Sequence, residues 1–118
     1  MLQRALRPFN SKPLIAVIGT TGTGKSQLAV ELSLAIAKNS VNHGKDDIRW
    51  SGGEIINADA MQVYKGLDVV TNKVTKEEMK GVPHHLIGVR HPGEEYYVTE
   101  WIKDATTIVR GARKLWQI

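Results

Sequence analysis

Eight consecutive residues carry the strongest chemical signal in the chain. Gly19, Thr20, Thr21, Gly22, Thr23, Gly24, Lys25 and Ser26 satisfy the spacing G-x-x-x-x-G-K-[ST]. The glycines let the backbone curl until successive N–H groups face one concavity, which is a nest for an anion. A helix opening near Lys25 would aim its positive end at the same place. Lys25 is long enough to reach terminal phosphate oxygens, and the Ser26 hydroxyl is the kind of ligand that holds Mg²⁺ beside such a loop. The segment therefore reads as a binder of a phosphorylated ligand. ATP, GTP and an organic diphosphate offer it much the same oxygens, so the loop does not choose among them. Glycine-rich turns without a ligand also join strands to helices, but the lysine, the hydroxyl and the flanking frame together argue against that reading.

Asp59 is the second candidate. It is the third residue after the apolar pair Ile55 and Ile56, just beyond the carboxyl end of an expected strand, where ligands lie in open parallel sheets. From that place a carboxylate is suited to take a proton from an attacking hydroxyl or amine. Position alone leaves an equal alternative, an Asp that caps the following turn. Other polar residues have duller readings. His84 and His85 are adjacent, so on a strand they face opposite ways and cannot share a metal; structural hydrogen bonding is the favoured role. His43 and His91 fall in loops without a partner signal. Trp101 and Trp116 fit a helical core stripe, and Trp50 is ambiguous. Lys73, Lys76, Lys80 and Arg90 read as solvated surface.

These residues need a scaffold, and the pattern supplies an α/β one. Residues 14–18 (LIAVI) suit a strand buried on both faces. Residues 26–38 have Leu28, Ala29, Leu32, Ala35 and Ile36 at helical spacing. Residues 39–53 are polar and aperiodic, an expected surface insertion. A short strand resumes at 54–57 (EIIN), followed by a mixed loop. Thr75 with Glu78 predicts a capping box on a short helix ending at Gly81. Residues 85–89 suggest a third strand. From Val98 the apolar residues keep a helical period through Trp101, Ile102, Ala105, Ile108, Val109, Ala112, Leu115 and Trp116. Strand, helix, strand, short helix, strand, helix implies a parallel sheet. With no strand expected behind the last helix, the sheet reads as truncated.

Composition sets the outer limits. The 118 residues, with 42% hydrophobic and 24% charged, are those of an ordinary globular domain. No apolar run approaches the roughly 18 residues of a membrane-spanning helix. Cysteine is absent, which excludes disulfides, thiolate zinc sites and a cysteine nucleophile. The net charge of +4 is compatible with anionic partners without selecting one. Residues 1–13 hold Arg4, Arg7 and Lys12, and no acidic residue precedes Glu31. They form a basic leader, read either as a weak mitochondrial transit signal or as an untethered tail.

Three separated blocks, GTTGTGKSQLAVEL, EIINADAMQVYKGLDVVTNKV and GVPHHLIGV, resemble in content and order the N-terminal part of the tRNA dimethylallyltransferases, also called isopentenyltransferases. The resemblance covers residues 14–109. Plant adenylate isopentenyltransferases share a similar VYKGLD and VTNKV block. The Ala-Asp-Ala-Met-Gln form around Asp59 and the Glu95-Tyr96-Tyr97 stretch look more like the tRNA-acting eukaryotic enzymes, fungal ones especially. The family continues past a helix like 98–113 into a buried strand and a Gly-Gly-Thr-x-x-Tyr segment; here the chain reads ARKLWQI.

The resemblance implies a P-loop-containing nucleoside-triphosphate-hydrolase-like fold with flanking helices. It implies transfer of a dimethylallyl group from dimethylallyl diphosphate to N6 of an adenosine beside the anticodon of a tRNA. The loop from Gly19 to Ser26 would cradle the diphosphate, with Lys25, backbone N–H groups and Mg²⁺ on Ser26 holding the leaving charge. Asp59 would be the general base, and Ala60, Met61 and Gln62 would line the path of the tRNA loop. A monomer in the cytoplasm, the mitochondrion or both would follow. Three other readings stay open on the same residues: an adenylate isopentenyltransferase, a small-molecule kinase, and a truncated chain that binds phosphate without catalysis.

Overall fold

The computed structural model describes residues 14–20, 22–38, 52–66, 68, 72–111 and 115–117. The expected leader and most of the expected insertion lie outside these residues. Four strands and three helices follow in the order β1 (Leu14–Ile15), α1 (Lys25–Lys38), β2 (Gly53–Ile56), α2 (Lys76–Met79), β3 (His84–His85), α3 (Val98–Gly111) and β4 (Leu115–Gln117). They form one sheet in the order β1-β4-β2-β3. Every neighbouring pair is parallel, with Leu14 opposite Trp116, Ile55 opposite both Gln117 and His84, and Ile56 opposite His85. The fold class is the expected α/β one. Among the described residues no helix is long and apolar enough to cross a membrane.

The fourth strand corrects the sequence reading. The helical period runs on through Ala112, Leu115 and Trp116, yet α3 ends at Gly111 and residues 115–117 enter the sheet. Glycine is a poor helix former and a common stop. Backbone pairing supplies the rest of the reason: β4 fills the slot between β1 and β2, whose facing N–H and C=O groups would otherwise lack partners. The expected absence of a strand behind the last helix is thereby overturned.

The two isoleucines of β2 explain the layering. Adjacent strand residues face opposite sides of a sheet. Ile55 packs with Ala29, Val30 and Val82 on the α1 side, with Val17 against them. Ile56 packs with Leu86 and Ala105, against Trp101, Ile108 and Val109 of α3. Each face of the sheet thus has its own small core.

Three expected boundaries and two stripes change. The first strand is only Leu14–Ile15, paired with Trp116 and Gln117, and Ile18 is 89% exposed. The third strand is only His84–His85; Leu86 and Gly88, at φ 62° and 61°, turn the chain into the left-handed region. The end of the expected insertion belongs to the core, since Gly52 and Gly53 are buried and Gly53 opens β2. In α1 the buried face is Ala29, Val30 and Ser33, while Leu28 is 54% exposed. Small residues there let the helix lie close: a Cβ on Gly52 would meet Ala37 Cβ at 3.5 Å. In α3, Ala105 is buried with Trp101, Ile108 and Val109 packed nearby, but Val98 and Ile102 are exposed.

Ser33 tethers α1 to β2. Its hydroxyl donates to Gly53 O at 2.7 Å and accepts from Gly53 N at 2.8 Å, both buried. Ser33→Ala leaves both groups of Gly53 without that partner. It should lower unfolding free energy by about 1–3 kcal/mol, read as a reduced urea midpoint at unchanged slope. A midpoint equal to the parent's refutes the tether.

Candidate functional site

Parallel strands release their loops at one sheet edge. The glycine-rich loop follows β1 and Asp59 follows β2, so both leave from the carboxyl edge with only β4 between them. Two interstrand spacings put the strands roughly 10 Å apart.

The loop is closed on itself by Lys25. Its Nζ donates to Gly19 O at 2.8 Å and to Thr20 O at 2.7 Å, and Thr23 Oγ1 donates to Thr20 O at 2.7 Å. Gly22 and Gly24 stand at φ 78° and 82°, a backbone region that costs side-chain-bearing residues and not glycine. Gly19 is needed for another reason, since a Cβ there would lie 2.9 Å from Thr23 Oγ1. α1 begins at Lys25, with Leu28 N bonded to Gly24 O. Gly19, Thr20, Gly22, Thr23, Gly24 and Ser26 are exposed and Lys25 is half-buried; Thr21 lies outside the described residues. The arrangement offers an anion the open amides at the start of a 14-residue helix and an ammonium held at the loop.

Asp59 is exposed and its Oδ1 accepts from Met61 N at 2.8 Å and Gln62 N at 3.4 Å. The turn cap left open by position is therefore present. A carboxylate has two oxygens, so capping through Oδ1 leaves Oδ2 for a proton. Ala60 and Met61 are exposed, and Gln62 is half-buried with its Nε2 on Asn72 O at 3.3 Å. The segment after Asp59 is fastened to the turn behind β3. Gly88 N donates to Gln62 O, Val89 N and Arg90 N to Val63 O, and Lys65 N to Arg90 O. A cavity of about 200 Å³ beside it is lined by Met61, Tyr64, Gly66, Pro92 and Gly93.

Sequence reasoning missed several of the groups that hold this edge. Asn57 binds Asp59 through its carboxamide, and Trp101 donates to Asn57 O at 2.8 Å. An Asx residue two positions before another, directly after an apolar pair, was the available signal. Lys73, expected on the surface, has a side chain only 6% exposed. Its Nζ donates to Tyr64 O, to Gly66 O at 2.6 Å and to Asp68 Oδ1 at 2.9 Å, pinning the loop from inside. Arg90 is likewise engaged: it stacks on Tyr96 and reaches Asp104 at 3.4 Å, while Tyr96 donates to the same carboxylate at 2.6 Å. Burial and that hydrogen bond push the Tyr96 phenol up to about 12. The capping box is as expected, with Thr75 Oγ1 accepting from Glu78 N.

The histidines have structural partners. His85 Nε2 lies 2.8 Å from Glu54 Oε2. His84 Nδ1 lies 2.7 Å from Val82 O, which places the proton on Nδ1 because a carbonyl only accepts. His84 Nε2 is buried without a partner among the described residues. Burial holds this imidazole below its ordinary 6.5, outweighing the Val82 bond. The unfolded chain takes up this proton as pH falls through about 6.5, and the folded chain only at lower pH. Stability carried by neutral His84 is therefore present above 6.5 and declines below it. Melting temperature should drop between pH 7 and pH 5, and His84→Gln should make that drop shallower. Equal pH slopes in parent and variant would show that His84 titrates alike in both states.

Among the described residues no cluster of three or more His, Asp or Glu side chains could hold a metal ion. The donor at hand beside the loop is the exposed Ser26 hydroxyl.

The IPP transferase family model matches residues 62–117. A tRNA dimethylallyltransferase of Caldanaerobacter subterraneus is 41% identical over 97 residues, 82% of this chain and 26% of the relative. One from Schizosaccharomyces pombe is 42% identical over 98 residues, 83% of this chain and 19% of the relative. The chain thus spans about a quarter or less of the length of these curated relatives. Among solved structures, the tRNA isopentenylpyrophosphate transferase of Bacillus halodurans superposes with a TM-score of 0.75 at 34% identity, over 91% of this chain and 31% of that one. A eukaryotic dimethylallyltransferase acting on tRNA gives 0.75 at 33% identity, over 91% and 24%. Sequence, family model and backbone agree in likening this chain to the IPP transferases.

Proposed function

We propose that this chain carries the diphosphate loop and the general base of a tRNA dimethylallyltransferase. The reaction joins C1 of dimethylallyl diphosphate to N6 of an adenosine beside the anticodon. The observation that carries this reading is the common sheet edge shared by the loop after β1 and Asp59 after β2, in a chain whose relatives bear that name.

The roles follow from chemistry. As the N6–C1 bond forms and the C1–O bond breaks, diphosphate leaves with its charge. Amides of Gly22 to Ser26 and the Lys25 ammonium stabilise that charge, Lys25 exchanging loop carbonyls for phosphate oxygens. Oδ2 of Asp59 takes the proton released from N6, because an adenine amine is a poor nucleophile until deprotonation accompanies attack. Exposed Ala60 and Met61, with Gln62, line the approach of the RNA loop, whose target base must be splayed out of its stack before N6 can meet Asp59 at the sheet edge. The donor set fits Mg²⁺ only weakly by itself: Ser26 would supply one hydroxyl, and the remaining ligands would be diphosphate and water oxygens. When bound, the ion neutralises leaving-group charge.

Competition at the loop tests the assignment. Dimethylallyl diphosphate should displace labelled ATP, and labelled prenyl should appear on tRNA in preference to AMP, ADP or ATP. Phosphate transfer from ATP to a small acceptor, or prenyl transfer to free nucleotides alone, overturns it.

A further inference from the structure

We propose that Asn57 and Trp101 are positioning residues for Asp59, fixing the direction in which its carboxylate leaves the sheet edge. The proposal rests on the reading of Asp59 as the base.

Asn57 follows the last residue of β2. Its Oδ1 accepts from Asp59 N at 3.0 Å, and its Nδ2 donates to Asp59 O at 3.0 Å and to Leu86 O at 3.0 Å. One carboxamide therefore grips the peptide groups on both sides of the Asp59 Cα. Those two planes set φ and ψ of Asp59, and with them the direction of its Cα–Cβ bond. The rest of Asn57 is equally committed: its N–H donates to His85 O at 2.9 Å, and its carbonyl accepts from Trp101 Nε1 at 2.8 Å. Only a side chain that donates and accepts at this reach can do this; Asp lacks the donor and Ala lacks both.

The grip is anchored to the core. Leu86 holds φ 62° although it carries a branched side chain, a conformation that persists only when its surroundings determine it. Its side chain is buried with Ile56 and Ala105, and Trp101 packs against the same cluster. Asp59 is otherwise exposed, on a turn that would sample many directions. The carboxamide and the indole tie that turn to β2, to the bend after β3 and to α3. A general base misplaced by about 1 Å can cost on the order of 10²-fold in rate.

The test uses the protein at its natural length, with kcat and KM for tRNA and dimethylallyl diphosphate measured beside a thermal melt. Asn57→Ala should lower kcat by about 10- to 100-fold with both KM values within about twofold. Trp101→Phe keeps the ring in the core and removes one N–H; it should lower kcat by about three- to tenfold. Combining Asn57→Ala with Asp59→Asn should be no slower than Asp59→Asn alone, because positioning is lost only where there is a base to position. A folded Asn57→Ala at full kcat, or penalties that multiply in the double variant, overturns the proposal and leaves Asp59 as base. Should Asn57→Ala fail to fold, Trp101→Phe at full kcat overturns it in the same way. Full activity in Asp59→Asn alone overturns the base reading and this proposal together.

Discussion

Asp59→Asn is expected to slow prenyl transfer by about 10²–10⁴-fold while dimethylallyl diphosphate still binds, the span that loss of a general base produces. The geometry makes this substitution unusually clean. The turn after Asp59 is capped through Oδ1, which accepts from the amides of Met61 and Gln62. Asparagine keeps a carbonyl oxygen at that place, so the cap survives, and only proton acceptance at the second position is lost. Asp59→Ala removes both, and should add a loss of about 1 kcal/mol in stability to the same loss of rate. Single-turnover transfer to tRNA, with a parallel melt, separates the two effects. Asparagine at parental rate with alanine merely less stable would leave Asp59 as a turn cap and nothing more.

Lys25→Ala should cost about 2–4 kcal/mol of transition-state stabilisation, roughly 30- to 10³-fold in kcat/KM for dimethylallyl diphosphate. The fold should survive, because Nζ donates to Gly19 O and Thr20 O in an exposed loop, where water can replace it. Those bonds bear on the mechanism. In the proposed reaction the ammonium would trade its carbonyl partners, Gly19 O and Thr20 O, for phosphate oxygens. Lys25→Arg should rescue little, since the guanidinium is broader than the ammonium and cannot occupy the same point between two carbonyls. Unchanged kcat/KM in Lys25→Ala with an unchanged melt removes the lysine from the reaction.

Local chemistry was legible in the residues themselves. The loop from Gly19 to Ser26 is a pattern of short-range requirements, positive φ at two glycines and no Cβ at a third, and these can be read from residue type. The capping box of Thr75 and Glu78 spans three residues and is equally local. So is the place of Asp59, since a carboxylate three residues past a strand's apolar pair lands beyond the end of that strand. The alternation of apolar runs and amphipathic stretches gave the α/β class, because burial on two faces of a parallel sheet demands it.

What only the tertiary structure decided are the groups whose partners lie far along the chain. Ser33 meets Gly53, Trp101 meets Asn57 and Asn57 meets Leu86, pairs that no periodicity encodes. Lys73 looked like solvated surface because its type usually is; three acceptors on residues 64, 66 and 68 made it the staple of that loop. Residues 115–117 continued a helical stripe on paper and became β4, since an open slot between β1 and β2 outweighed the local pattern once α3 had stopped at Gly111. Spacing says which residues share a face of one element. Which element they face is settled by the backbone hydrogen bonds and packing of the whole sheet, and those form between segments the sequence keeps apart.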